Sequence, residues 1–383
     1  MKRLLLLLII TFALAACVSA PPPSPTPPFT ITLTSTETGT LIPPPTTTHT
    51  PVPPTATPLV LQGKIAFWSN EFGGIWSIKL YDLETKFLTQ LTDTQDNFSS
   101  ASWSPDGRYL AYETYDERQG EIYLVDILEN TTINLTDNTA GDYYPAWSPD
   151  GGSIAFVSIL NGRVDIFIMD MNNREIRNLT RHPANDGGPA WSPDGEKILF
   201  GSTREGGTNQ LFVIDIDGSN LKQLTSNDSP YIDSYAWSTD GSKIAFTYAE
   251  DVLADLDLYI IDPDGNNLKK LTNEGEFMGD VGSLFSWSPD GSRIAFYMDL
   301  GNQNNEIFVV DIVSNETTRM TYHNGGDFQP VWSLDGSMIA FVSTRDTSEE
   351  TGNSIYVINA IGEGEPILII NIDWIMGQIF WIP

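Results

Sequence analysis

The 383 residues include one cysteine, three histidines and only 20 lysines and arginines against 50 acidic residues. The single cysteine, Cys17, excludes an internal disulfide, so stability must come from a packed core, which a chain of this length can bury. Only two histidines, His182 and His323, stand beyond the proline-rich N-terminal part, and zinc sites of the common kinds cannot be assembled from them alone. No serine stands in a Gly-x-Ser-x-Gly setting, which removes the usual hydrolase nucleophile elbow. No stretch beyond the N-terminus has helical spacing. Setting aside Lys2, Arg3 and Glu37 leaves 18 basic and 49 acidic residues, a net charge of −31, and makes nucleic acid and anionic lipid poor partners. The excess has two readings: solvated turn aspartates, or a field that attracts cations and basic partners.

What is present begins with Lys2 and Arg3 and an apolar run from Leu4 to Ala16, too short to span a bilayer and of the length of a signal h-region. It ends in Leu14-Ala15-Ala16-Cys17, which resembles the bacterial lipobox, in which small residues precede the cysteine that accepts a diacylglycerol. Residues 1–17 therefore read as a lipoprotein signal with Cys17 as the lipidation site, and the remainder as an extracytoplasmic protein held on a membrane of the cell envelope. Residues 18–62 are rich in Pro and Thr, with Glu37 the only charge. Such a segment cannot form a core and reads as a disordered, extended stalk reaching at most roughly 140 Å at about 3.1 Å per residue. Its threonines are either bare or O-glycosylated.

Residues 63–383 repeat. Trp-Ser-Pro-Asp-Gly occurs intact at Trp103–Gly107, Trp147–Gly151, Trp191–Gly195 and Trp287–Gly291, and altered at Trp237–Gly241 and Trp332–Gly336. Successive motif tryptophans, with Trp381 the last, are 44, 44, 46, 50, 45 and 49 residues apart. That period suits four short strands. Within each repeat a strand ends in Trp, the turn follows, a second strand such as Ser153–Val157 alternates with period two, a third such as Asp165–Asp170 follows, and a fourth ends in Leu-Thr. In the turn, Pro sets φ, Asp bonds nearby amides and Gly accepts positive φ.

Second strands begin near Lys64, Tyr109, Ser153, Lys197, Lys243, Arg293 and Met338, which makes seven. Only six first strands precede them, and the seventh is Gln378–Trp381. The expected fold is all-β: a seven-bladed propeller of four-stranded antiparallel blades, closed by the C-terminal strand and monomeric. The repeats resemble those of the TolB family, in which Trp-Ser-Pro-Asp-Gly is followed by Ile-Ala-Phe, here Ile294-Ala295-Phe296, and later by Ile-Tyr-Val, here Ile355-Tyr356-Val357. The resemblance implies a propeller used as a binding platform. TolB itself carries an α/β domain before a six-bladed propeller, so its envelope role does not transfer to a lipobox, a stalk and seven repeats.

The tight turns share one face, and the longer connections, Glu250–Asp257, Asp299–Asn305 and Asp346–Asn353, share the other, which is the expected working face. Just before each first strand on that face is an aspartate: Asp96, Asp142, Asp186, Asp233, Asp280, Asp327 and Asp373. Asp142, Asp186 and Asp327 each lie five residues before their Trp and are expected either to form part of a Ca²⁺, Mg²⁺ or ligand site at the channel mouth or to bond backbone amides of their own loops or of the neighbouring blade. Phe98, Tyr143, Tyr144, Tyr231, Tyr235, Phe277 and Phe328 accompany them, placed to stack on sugars, anchor a protein or pack between blades. The ligand-binding candidates are thus Asp142, Asp186, Asp233, Asp327, Tyr143, Tyr144 and Phe328, with Asp142, Asp186 and Asp327 as metal candidates. No catalytic residue is assigned. The function expected is a non-enzymatic binding or scaffold protein of the envelope with a protein or polysaccharide partner. The alternative is a carbohydrate-active lyase or glycosidase.

Overall fold

The computed structural model describes residues 61–71, 75–92, 100–115, 120–204, 208–226, 231–249, 256–272, 285–300, 304–345, 352–372 and 375–383. Cys17 and the stalk lie outside them, as do Asp96, Asp280, Asp373, Phe98, Phe277 and most of the longer connections. The described strands form seven four-stranded antiparallel sheets arranged as a propeller. Blade 1 joins the C-terminal strand Ile375–Ile382 to residues 64–90, and blades 2 to 7 follow at 101–134, 141–178, 186–223, 231–270, 285–319 and 327–371. Each later blade is built from consecutive strands, innermost first, as the repeat predicts. The second strand of blade 5 starts at Ile244, one residue later than the expected Lys243.

The six turns share one hydrogen-bond pattern. The Ser hydroxyl donates to the Asp carboxylate, as in Ser104–Asp106 and Ser288–Asp290, both 2.6 Å, and accepts the N–H five residues on, 2.8 Å for Tyr109 and 2.9 Å for Arg293. The Gly, with φ between +69° and +73° across the six, donates back to the Ser carbonyl. Proline does a second job: Pro105 lies over Gly151 of the next blade, Pro149 over Gly195, Pro193 over Gly241 and Pro289 over Gly336. A side chain at the glycine would meet the proline, so the motif locks neighbouring blades as well as closing its own hairpin. Trp indoles also link blades, with Trp191 Nε1 donating to Ala146 O at 3.0 Å and Trp332 Nε1 to Ser286 O at 3.1 Å.

Leu-Thr lies one step past the fourth strand rather than within it. In six blades the Thr hydroxyl accepts the backbone N–H of the third strand that a further ladder residue would have taken, as Thr225 does for Leu211 at 3.0 Å and Thr321 for Ile307 at 2.9 Å. A side chain thus ends each outer strand without orphaning a buried donor. Between blades, the fully buried rings of Tyr112, Phe67, Phe156, Phe200, Phe296 and Phe341 fill the core.

Candidate functional site at the channel mouth

Where the innermost strands converge, a cavity of about 350 Å³ opens between blades 1 to 5. Its wall includes Trp68 and Phe380 of blade 1, Tyr144 and Pro145 of blade 3, Pro189 of blade 4 and Asp233 of blade 5. Its shape comes from a bulge repeated in the inner strands, at Tyr143/Ala146, Gly187/Ala190 and Ile232/Tyr235. In blades 3, 4 and 7 the residue three before the Trp has a left-handed backbone, with φ of +52° at Tyr144, +64° at Gly188 and +52° at Gln329, and each is followed by proline. At Gly188 the space itself demands glycine, because a Cβ would stand 2.2 Å from the Tyr235 hydroxyl oxygen.

Tyr144 holds that conformation as a bulky aromatic residue, which is rare and concentrates at functional sites. Its N–H donates to Glu113 Oε2 of the preceding blade at 2.5 Å, and its ring is half exposed over the cavity. Partial burial, and next the Glu113 charge, raise the Tyr144 phenol above its ordinary value, so its hydroxyl stays a neutral donor and acceptor. Asp233 is exposed on the same wall. Tyr235, by contrast, is structural: its hydroxyl accepts Gly201 N–H at 3.0 Å and lies 2.8 Å from Gly188 O, and burial pushes its pKa up strongly.

Of the residues singled out in the sequence, Tyr144, Asp233 and the structural Tyr235 meet at this cavity. Tyr143 packs against Gly120 and Gly141, with Gly120 N–H donating to its hydroxyl at 3.1 Å. Phe328 packs edge-on against Tyr297 of blade 6 at 5.6 Å. Asp142, Asp186 and Asp327 are fully buried in their own blades. Asp186 Oδ1 accepts Ser202 Oγ at 2.5 Å and its Oδ2 accepts Arg204 at 2.7 Å; Asp327 does the same with Ser343 at 2.5 Å and Arg345 at 2.7 Å. Among the described residues no three His, Cys, Asp or Glu side chains stand together to hold a metal ion. The carboxylates of Asp186 and Asp327 are answered by guanidinium groups instead. His182 and His323 also share a structural role, each Nδ1 accepting the N–H two residues on, from Ala184 at 3.1 Å and Gly325 at 2.9 Å. The arginines were not singled out in the sequence, although Ser202-Thr203-Arg204 and Ser343-Thr344-Arg345 recur at one place in two repeats. Trp68 and Phe380 were missed because period-two alternation marks them simply as strand residues.

Residues 55–277 match the TolB beta propeller domain. The chain belongs to that family. Among solved structures, TolB from Acinetobacter baumannii is 24% identical, with a TM-score of 0.53 over 67% of this chain and 63% of that one, so less than two thirds of that TolB has a counterpart here. An oligogalacturonate lyase in complex with manganese is 17% identical, with a TM-score of 0.57 over 80% of this chain and 85% of the lyase. A puromycin hydrolase S511A mutant is 15% identical, with a TM-score of 0.63 over 82% of this chain and 53% of the hydrolase. These likenesses establish the fold. The solved neighbours of this TolB-type propeller thus include both TolB and enzymes.

Proposed function

We propose that this TolB-type propeller is a lipid-anchored, extracytoplasmic binding or scaffold protein of the cell envelope, and that its partner, a protein or a glycan, docks at the channel mouth. The observation that carries this reading is the cavity wall: Tyr144, strained and half exposed, faces the same 350 Å³ space as Trp68, Phe380 and the exposed Asp233. Aromatic faces beside one carboxylate and several neutral polar groups bind by stacking and hydrogen bonding. The anchor rests on Leu14-Ala15-Ala16-Cys17, and Cys17→Ser is expected to release the chain from membranes.

The likeness to oligogalacturonate lyase favours one second reading, carbohydrate cleavage at the same face. One experiment addresses both. The full chain and a Tyr144→Ala/Asp233→Ala variant are presented with a glycan panel and with cross-linked envelope extract, scored for capture and for cleavage products. Capture lost in the variant, without products, is the expected result. Products from the wild type would replace binding by catalysis, and equal capture by both proteins would place the partner elsewhere.

A further inference from the structure

Blades 3, 4 and 7 begin their inner strands alike, with Asp142, Asp186 and Asp327 paired across the ladder with Ser158, Ser202 and Ser343. Two residues after the serine, blades 4 and 7 have Arg204 and Arg345, and blade 3 has Leu160. In the complete blades the guanidinium bonds both the aspartate and the serine: Arg204 Nε donates to Ser202 at 3.0 Å and Arg345 Nε to Ser343 at 2.9 Å. It also stacks on a pair of rings. Arg204 lies 5.2 and 5.1 Å from the centres of Phe200 and Phe212, and Arg345 lies 5.3 and 4.6 Å from Phe341 and Tyr356. Each cation therefore has a carboxylate at one edge and an aromatic floor beneath it.

Blade 3 keeps every part of this arrangement except the cation. Phe156 and Phe167 stack at 6.0 Å and 28°, close to the 5.8 Å and 28° of the blade 4 pair. Ser158 is in place. Asp142 is fully buried, yet its Oδ1 has no hydrogen-bond partner, a costly state for a carboxylate oxygen. Its Oδ2 accepts from a neutral donor, the Asn138 amide at 2.7 Å, and Asn138 itself is exposed at the surface. Asn138 stands where blades 4 and 7 have His182 and His323, whose rings turn back on their own loops. Burial raises the Asp142 carboxyl above its usual range, and the nearby Ser158, Asn138 and Thr136 groups offset only part of that.

We infer that blade 3 carries a socket for a guanidinium group supplied by a binding partner, with Asp142 and Ser158 as acceptors and Phe156 and Phe167 as the floor. The incoming arginine side chain displaces the exposed Asn138 amide, gives Oδ1 its missing donor and replaces a neutral hydrogen bond by charge-assisted ones. The partner's chemistry follows: an arginine-bearing protein segment, drawn in by the net charge of −31 on residues 63–383. The socket is separate from the channel-mouth cavity and does not depend on that reading.

The test is calorimetric titration of the full chain with the peptide Gly-Arg-Gly and with its neutral citrulline counterpart. The arginine peptide is expected to bind at least about tenfold more tightly, the margin of a charge-assisted over a neutral hydrogen bond. Asp142→Asn should remove that margin. Leu160→Arg should fill the socket from within, raising the thermal midpoint and abolishing the binding. Equal affinity for the two peptides, or an arginine margin that survives Asp142→Asn in a folded variant, overturns the inference. So does a margin lost through Asp233→Ala but not through Asp142→Asn, since the peptide would then lie at the channel mouth.

Discussion

Asp186 and Asp142 occupy the same place in successive blades, and their surroundings reverse the effect of one substitution. Asp186 and Arg204 form a pair with side chains 0% and 5% exposed, and removing one charge strands the other. Asp186→Asn, like Asp327→Asn, is therefore expected to lose about 3–5 kcal/mol in urea unfolding at neutral pH. Asp142→Asn removes a carboxylate that burial already disfavours, and its stability should equal or exceed that of the wild type. The pH dependence has a definite sign. A carboxyl with a raised folded pKa binds its proton more tightly when folded, so its contribution is greatest at low pH and declines as pH rises through that folded value. Only the wild type should show this component. A loss of several kcal/mol in Asp142→Asn would show that the carboxylate is already compensated. The sequence revealed that these three aspartates share a position; it did not reveal which were paired, because the arginine is 18 residues away and meets its partner only after the second strand folds back.

At the scale of the element, the turn and the outer-strand cap explain why the repeat is so readable. Trp-Ser-Pro-Asp-Gly is local in sequence and in space, so its residues fix its geometry almost alone. The bulge that creates the channel mouth is different: left-handed backbone at Tyr144 and Gln329 is not what tyrosine or glutamine prefers, so the strand pattern concealed it. The turn aspartates give an acid prediction. The Ser288 hydroxyl, then the Ser292 N–H, hold Asp290 down at about 2, and Asp106, Asp150, Asp194, Asp240 and Asp335 are lowered by their own turns in the same way. A depressed carboxyl stabilises the fold above its unfolded value, near 3.8, and that contribution is lost as pH falls towards the folded value. Thermal midpoints should therefore drop between pH about 4 and about 2, less steeply in Asp290→Asn, and identical slopes would show that the turn bonds do not form. The cap has its own test. In Thr321→Val, Ile307 N–H loses its acceptor and Glu306 a hydroxyl donor now at 2.5 Å, which should cost about 1–3 kcal/mol in chemical unfolding.

For the whole molecule the decisive contact is the one that closes the ring. Strand Ile375–Ile382 pairs antiparallel with Lys64–Glu71, matching Ile65 to Trp381 and Ala66 to Phe380 across more than 300 residues of chain. Trp381 Nε1 donates to Gln62 O at 3.0 Å, and Lys64 Nζ to Pro383 O at 2.9 Å. Pro383 also lies over Gly107 of blade 2, as each turn proline lies over the glycine of the following blade. Trp381-Ile382-Pro383 and Leu61-Gln62-Gly63 are thus two halves of one split turn. A chain ending before Gly377 loses the buried Ile379, Trp381 and Ile382, each worth about 2–5 kcal/mol on the scale of large core truncations. That sum rivals the whole stability of a domain, about 5–15 kcal/mol, and the cut also uncovers the edge at Ile65–Phe67. The truncated chain should show no cooperative melting transition and should aggregate on size exclusion. A synthetic peptide spanning residues 375–383, added before refolding, should restore a soluble monomer by supplying the missing strand in trans. A truncated chain that melts at the wild-type midpoint would mean that blade 1 stands without this strand. Rescue by a scrambled peptide would mean that the edge accepts any strand, and that the Trp381 and Pro383 contacts do not set the closure.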